Sequence, residues 1–104
     1  MGEYKLLALT NCLEGREDEF NKWYDEKHIP EVRRVPGVLS GKRFQRVGGR
    51  GEQEPRYEYL AIYDVDTDDP DSFLETLEDY LANGKIERGK LYRHPTWTAL
   101  YKAR

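Results

Sequence analysis

The chain has 104 residues, of which 38% are hydrophobic and 36% charged, with 17 basic and 20 acidic side chains for a net charge of −3. This length suits one domain over residues 1–104 and is too short for two cores, while 12% aromatic content argues against disorder. The negative balance disfavours nucleic acid, no apolar run could span a bilayer, and the lone Cys12 excludes an internal disulfide and points to the reducing cytoplasm.

Residues 3–12 form a mostly apolar run that predicts strand one. From Arg16 a helical pattern begins, with Glu17, Asp18 and Glu19 where the positive end of the helix dipole favours them. Phe20, Trp23, Tyr24 and Lys27/His28 recur at three- and four-residue spacing and predict an aromatic face. Pro30 interrupts the regular helix, with an irregular turn continuing towards Arg34, and Pro36-Gly37 ends it. Strand two is expected over 38–47, then a glycine-rich hairpin loop, then strand three over 56–65 with the most regular alternation in the chain. An acidic loop offers N-caps for a second helix over 72–82, which Asn83-Gly84 stops. Residues 85–95 show no clear pattern, and 96–101 predict strand four.

This order is βαββαβ, a ferredoxin-like α+β fold with an antiparallel four-stranded sheet and both helices on one face. Tyr57, Tyr59, Ala61 and Tyr63 alternate with Leu60 and Ile62 in strand three. Leu7 and Leu9 oppose Tyr4, Leu6 and Ala8 in strand one, and Trp97, Ala99 and Tyr101 oppose Leu100 in strand four. Both faces of the sheet are therefore apolar and two helices cover only one, which predicts a homodimer.

The run from Phe20 to Pro30, with Phe20, Tyr24, His28 and Pro30 in register and Pro36-Gly37 before strand two, resembles the dimeric α/β-barrel superfamily, and most of all its EthD-like branch. That branch more often carries tryptophan at the place of Tyr24; here the tryptophan is one residue earlier, at Trp23. The motif covers about a quarter of the chain, and the element order extends the likeness to the rest. The resemblance implies a barrel formed by two sheets in a dimer; separately, no cofactor is expected. Members include monooxygenases, haem-degrading enzymes, cyclases and lyases, so the fold alone does not fix the activity.

Phe20, Tyr24 and His28, each four residues apart, share a helix face. An ordinary imidazole titrates near working pH, as a general acid or base must, and a tyrosine hydroxyl can polarise an oxygen. His28 and Tyr24 are thus the candidate catalytic pair, with Phe20, Arg43, Tyr59 and Tyr63 as candidate substrate-binding residues. The chemistry expected is cyclase, lyase, dehydratase or isomerase action on a small aromatic or ketonic metabolite. The plainer reading makes His28 a cation at a helix C-terminus. Tyr4, Asp64 and Tyr101 are further candidates for the His28 end of the sheet. The alternatives are a non-catalytic metabolite-binding dimer and a cofactor-free monooxygenase using Asn11 and Trp97. Asn11 is expected on the order of 18 Å from His28, given about 1.5 Å per helical residue, and fits better as a loop residue. His94 and His28 have no metal-ligand spacing with Cys12 or a carboxylate, so no metal site is expected. The Gly48-Gly49-Arg50-Gly51 run precedes no helix and reads as a hairpin rather than a phosphate cradle.

Overall fold

A computed structural model describes residues 2–104. Strand β1 (Glu3–Cys12) leads into helix α1 (Glu17–Trp23), which continues through a π-helical turn (Tyr24–His28) into α2 (Ile29–Val32). Then follow β2 (Val38–Gln45), β3 (Tyr59–Asp66), α3 (Pro70–Ala82) and β4 (Tyr92–Lys102). The strands lie in the order β2-β3-β1-β4 and every neighbouring pair is antiparallel. This is the ferredoxin-like arrangement that the element order predicts.

The barrel expected from the resemblance is not formed. The sheet is open, with β2 and β4 as its two edges. Four strands are too few to curl into a closed cylinder, which takes about eight.

Strand register fixes two unlike faces. Leu6 stands opposite Tyr63 and Ala8 opposite Ala61. These side chains join Phe20, Tyr24, Val32 and Phe73 from the helices in one buried cluster. On the other face, Leu7 pairs with Ile62 and Leu9 with Leu60. Phe44, Trp97, Ala99 and Tyr101 extend that patch across the sheet, and no element of the described chain covers it. Gly41 shows how tightly the covered face is filled: a Cβ there would meet the Tyr63 ring at 2.8 Å. The absence of a side chain lets that ring pack against β2 beneath Ile29.

Helix α3 begins two residues earlier than the pattern predicts. Asp69 is its N-cap, accepting a hydrogen bond from the Ser72 amide at 3.1 Å, and Pro70 occupies the first turn. Strand β4 begins at Tyr92, four residues before the expected start. Pro95 conceals that start in the sequence. It is tolerated because β4 is an edge strand, and the register with β1 shifts between Leu9 and Asn11 close by.

Candidate functional site

Pro30 shapes the site locally. It has no N–H to offer the preceding turn, and its ring crowds the carbonyl four residues back. The helix widens by one residue there, and the Ile29 amide bonds to the Tyr24 carbonyl five residues earlier. Residues five apart are thereby brought together. His28 stacks on Trp23 with ring centroids 4.8 Å apart and planes 26° from parallel. It also meets Tyr24 edge-on at 4.7 Å. The imidazole is clamped between two aromatic neighbours, one of them outside the four-residue stripe.

His28 lines a cavity of about 430 Å³ between the π-helical turn and strands β1 and β4. Tyr24, Leu81 and Tyr92 line it with Ala8, Thr10, Thr96 and Thr98, and residues Glu87, Arg88 and Gly89 form its rim. Helix and rim are tied together: the Trp23 indole donates to Glu87 Oε2 at 2.6 Å, and the Glu87 amide donates to Glu31 Oε1 at 2.8 Å. Burial pushes the His28 pKa down to about 4, with nearby Arg43 acting in the same direction. Glu31 and the backbone and carboxylate of Glu87 oppose the shift without reversing it. The imidazole is therefore neutral at neutral pH. The expectation that it titrates near working pH is not met, and neither is the picture of a helix-end cation. Its Nδ1 is buried and has no hydrogen-bond partner.

Behind His28 lies a set of buried phenols. The Tyr24 hydroxyl sits close enough to those of Tyr63 and Tyr92 for the three to influence one another's acidity. All three are held above the ordinary tyrosine pKa, first by burial, so they stay protonated. The Tyr63 oxygen nevertheless makes no well-formed hydrogen bond. Arg43 spreads over the Tyr24 ring at 4.3 Å, with Tyr59 at 5.2 Å and Phe20 at 5.6 Å. Its Nη1 donates to Asp25 at 3.0 Å and its Nη2 to Asn21 at 2.9 Å, while Nε is buried without a partner.

The six residues singled out in the sequence thus divide. Tyr24 and His28 face the cavity. Arg43 and Tyr59 line a separate open groove beside β2 with Asn21 and Asp25. Phe20, 1% exposed, is a core residue packed against Tyr24, Tyr59 and Tyr92. Tyr63 is buried between these regions and lines neither. Of the further candidates, Asp64 pairs with Lys5 and accepts from Ser40 at 2.8 Å, while Tyr101 lies on the uncovered face. Tyr4 belongs to the core and does not line the cavity. Sequence reasoning places Trp23 on the aromatic helix face without marking it as a site residue, and it misses Tyr92. The signal for Trp23 is the proline two residues after His28, which announces an irregular turn; that for Tyr92 is hidden by Pro95.

Asn11 is occupied structurally. Its Nδ2 donates to the Arg56 carbonyl at 2.7 Å and its Oδ1 accepts from the Glu58 amide at 2.8 Å, fastening the segment before β3. Trp97 is opposite Leu9, on the other face of the sheet from the cavity. The pair proposed for an oxygenase is therefore not assembled. His94 lies on the rims of both the His28 cavity and a groove beside Asn11. Among the described residues, no three His, Cys, Asp or Glu side chains are grouped to hold a metal, and no helix is long and apolar enough to cross a membrane.

A cofactor-independent oxygenase from Streptomyces nogalater superposes with a TM-score of 0.62 at 20% identity, over 100% of this chain and 95% of that one. An EthD-like protein from Ralstonia eutropha gives 0.64 at 15% identity, over 96% and 90%. A dimeric ferredoxin-like protein of unknown function from Thermobifida fusca gives 0.58 at 10% identity, over 98% and 92%. The likeness is one of fold. It runs through oxygenases as well as EthD-like proteins and does not single out the EthD-like branch that the motif suggested. No family model and no curated protein matches the chain.

Proposed function

We propose that this protein is a homodimeric binder of a small aromatic or ketonic metabolite, held in the cavity beside the π-helical turn. The observation that carries this reading is His28 Nδ1, a buried polar atom without a partner on a residue lining a cavity of about 430 Å³. An orphaned buried nitrogen is unfavourable by roughly 1–3 kcal/mol, and a bound molecule offering a hydrogen-bond donor removes that penalty. The aromatic walls suit a flat ligand, and the threonine hydroxyls of β1 and β4 suit its polar edge.

The second copy belongs on the uncovered sheet face, where Leu7, Leu9, Leu60 and Ile62 form an aliphatic centre with Trp97 and Tyr101 at its side. The dimeric ferredoxin-like protein from Thermobifida fusca lends support to that assembly. Cys12 is free and buried, in keeping with the cytoplasmic setting we propose.

A second reading, a cofactor-independent oxygenase, draws on the full-length likeness to the Streptomyces nogalater enzyme. It has to rely on the Tyr24–His28 cavity, since Asn11 and Trp97 are committed elsewhere. The lyase, cyclase, dehydratase or isomerase chemistry expected of His28 is less favoured, because a neutral imidazole of pKa about 4 is a weak base and supplies no acid at neutral pH.

The test is a calorimetric screen of small phenols and ketones against the wild type and Ala8→Leu, whose larger side chain fills the cavity from the sheet. Binding by the wild type, weakened at least about tenfold in Ala8→Leu, supports the site; ten-fold corresponds to about 1.4 kcal/mol. Equal binding by both places the ligand elsewhere.

A further inference from the structure

His28 is itself a gauge of which charge the cavity tolerates. Glu31 and Glu87 favour a proton on its imidazole, yet burial, with help from Arg43, holds the pKa down at about 4. A cation is therefore disfavoured here even beside two carboxylates. An anion fares worse, because it meets their repulsion in addition to the same burial. The other charged neighbours leave this balance in place. Lys27 is shared between Glu31 at 4.0 Å and Glu87 at 3.9 Å, Arg88 on the rim is paired with Glu78 at 3.4 Å, and His94 is an exposed rim residue. The wall suits an uncharged guest.

The polar atoms of two lining residues narrow the choice further. A neutral imidazole carries one N–H and one lone pair. The Glu87 backbone favours a proton on the ring, as a carbonyl does by accepting it. Nδ1 has no partner, so the proton belongs on Nε2 and the Nδ1 lone pair is bare. Tyr24 meets the same ring edge-on at 4.7 Å. The Tyr63 and Tyr92 hydroxyls ease ionisation of Tyr24, as neighbours turning their protons towards its oxygen do, and the Tyr24 proton is then free for another acceptor. A spare acceptor and a spare donor thus belong to adjacent residues of one wall. We infer that the cavity recognises an un-ionised hydroxyl, that of a phenol or an enol, which donates to His28 Nδ1 and accepts from Tyr24. This rests on the reading of the cavity as a ligand site and names the group by which the ligand is recognised. A phenolate or an ether lacks the proton that Nδ1 needs, and a plain ketone has none to give. Ketonic ligands are accordingly taken as enols or with a hydroxyl alongside.

The probes are 4-nitrophenol, whose phenolate absorbs visible light, and its methyl ether 4-nitroanisole. Titrated on the wild-type protein, the bound phenol is expected to ionise at least about one pH unit above the free one, the order of shift given by burial and a hydrogen bond from the protonated form. Calorimetry at a pH where the free phenol is un-ionised and His28 still neutral should show the ether binding at least about tenfold more weakly, since it leaves Nδ1 bare. His28→Phe keeps a ring against Trp23 but removes the acceptor, and should bring the two affinities within about twofold of each other. A melting curve checks that this variant is folded, and the two wild-type comparisons do not depend on it. Bound phenol ionising at or below its free value, or phenol and ether binding alike to the wild type, overturns the hydroxyl site. If that binding is still lost in Ala8→Leu, the cavity reading stands. A tenfold preference that persists in folded His28→Phe overturns the part given to Nδ1 and the inference with it. Binding of neither probe removes the cavity reading together with the inference.

Discussion

The two faces of the sheet invert the usual relation between burial and polarity. The face beneath the helices is buried yet tipped with hydroxyls, from Tyr59, Tyr63, Thr10 and, across the cavity, Tyr24 and Tyr92. The opposite face has an aliphatic centre of Leu7, Leu9, Leu60 and Ile62, yet it stands open, with Trp97 38% and Tyr101 50% exposed. A chain selected only to fold as a monomer would place these groups the other way round. In the function we propose, the two faces have separate tasks: the covered face receives a small guest and the open face an apolar partner.

The comparison breaks most decisively at the open face. Leu9→Asp should dissociate the dimer, raising its dissociation constant at least about a hundredfold, because a buried carboxylate without a partner is strongly unfavourable. Sedimentation at micromolar concentration should show a dimer for the wild type and a monomer for the variant; a monomeric wild type removes the assembly itself. On the covered face, Phe20→Ala should lower unfolding stability by about 3–5 kcal/mol in denaturant titrations, as expected for a fully buried aromatic side chain. That outcome marks Phe20 as core rather than ligand contact, and the dimer should persist wherever the variant remains folded.

The pH dependence of stability sharpens the contrast on the covered face. The folded-state pKa of His28 lies at about 4, below the ordinary 6.5, so the unfolded chain binds this proton more readily. Its contribution is to lower stability as pH falls from about 6.5 towards 4, by as much as roughly 3 kcal/mol across the window. His28→Gln should flatten that part of the curve, measured by denaturant unfolding at pH 7 and pH 4.5. An equally steep wild-type and variant curve would show that the imidazole is not held neutral. The smallest effect is expected far from both faces: Asp69→Ala should cost about 1 kcal/mol by unpinning the first turn of α3, with dimerisation unchanged.

The fold was legible because it depends on alternation. Residues 3–12 and the core of strand three show which side chains share a face, and the register confirms those pairs. The start of β4 was not legible, because Pro95 denies a central strand and only the topology reveals that β4 is an edge. The site was legible in part. Four-residue spacing brings Tyr24 to His28, but it assumes a regular helix, and the π-helical turn adds Trp23 at five. Neither His28's depressed pKa nor the isolation of Tyr63 can be read from spacing, since both follow from how strands distant in sequence bury them. Arg43 could be marked as a candidate substrate-binding residue; that it would lie across Tyr24, Tyr59 and Phe20 depends on β2 folding back along β3.

The widened turn at Tyr24–His28 also makes the site a matter of phase. One residue in an α-helix corresponds to about 100° of rotation, and the turn accommodates a single surplus residue without passing that rotation on. Deleting Asp25 or Glu26 would restore a regular helix of nearly the same apolar composition, and α1 could still cover the sheet. Trp23 and His28 would then be four apart and Tyr24 and His28 three, spacings at which side chains share a face of a regular helix, so the imidazole would keep both neighbours. The π-helical turn thus holds the phase of the helix against an added residue, and a chain one residue shorter here should keep both the fold and the clamp around His28.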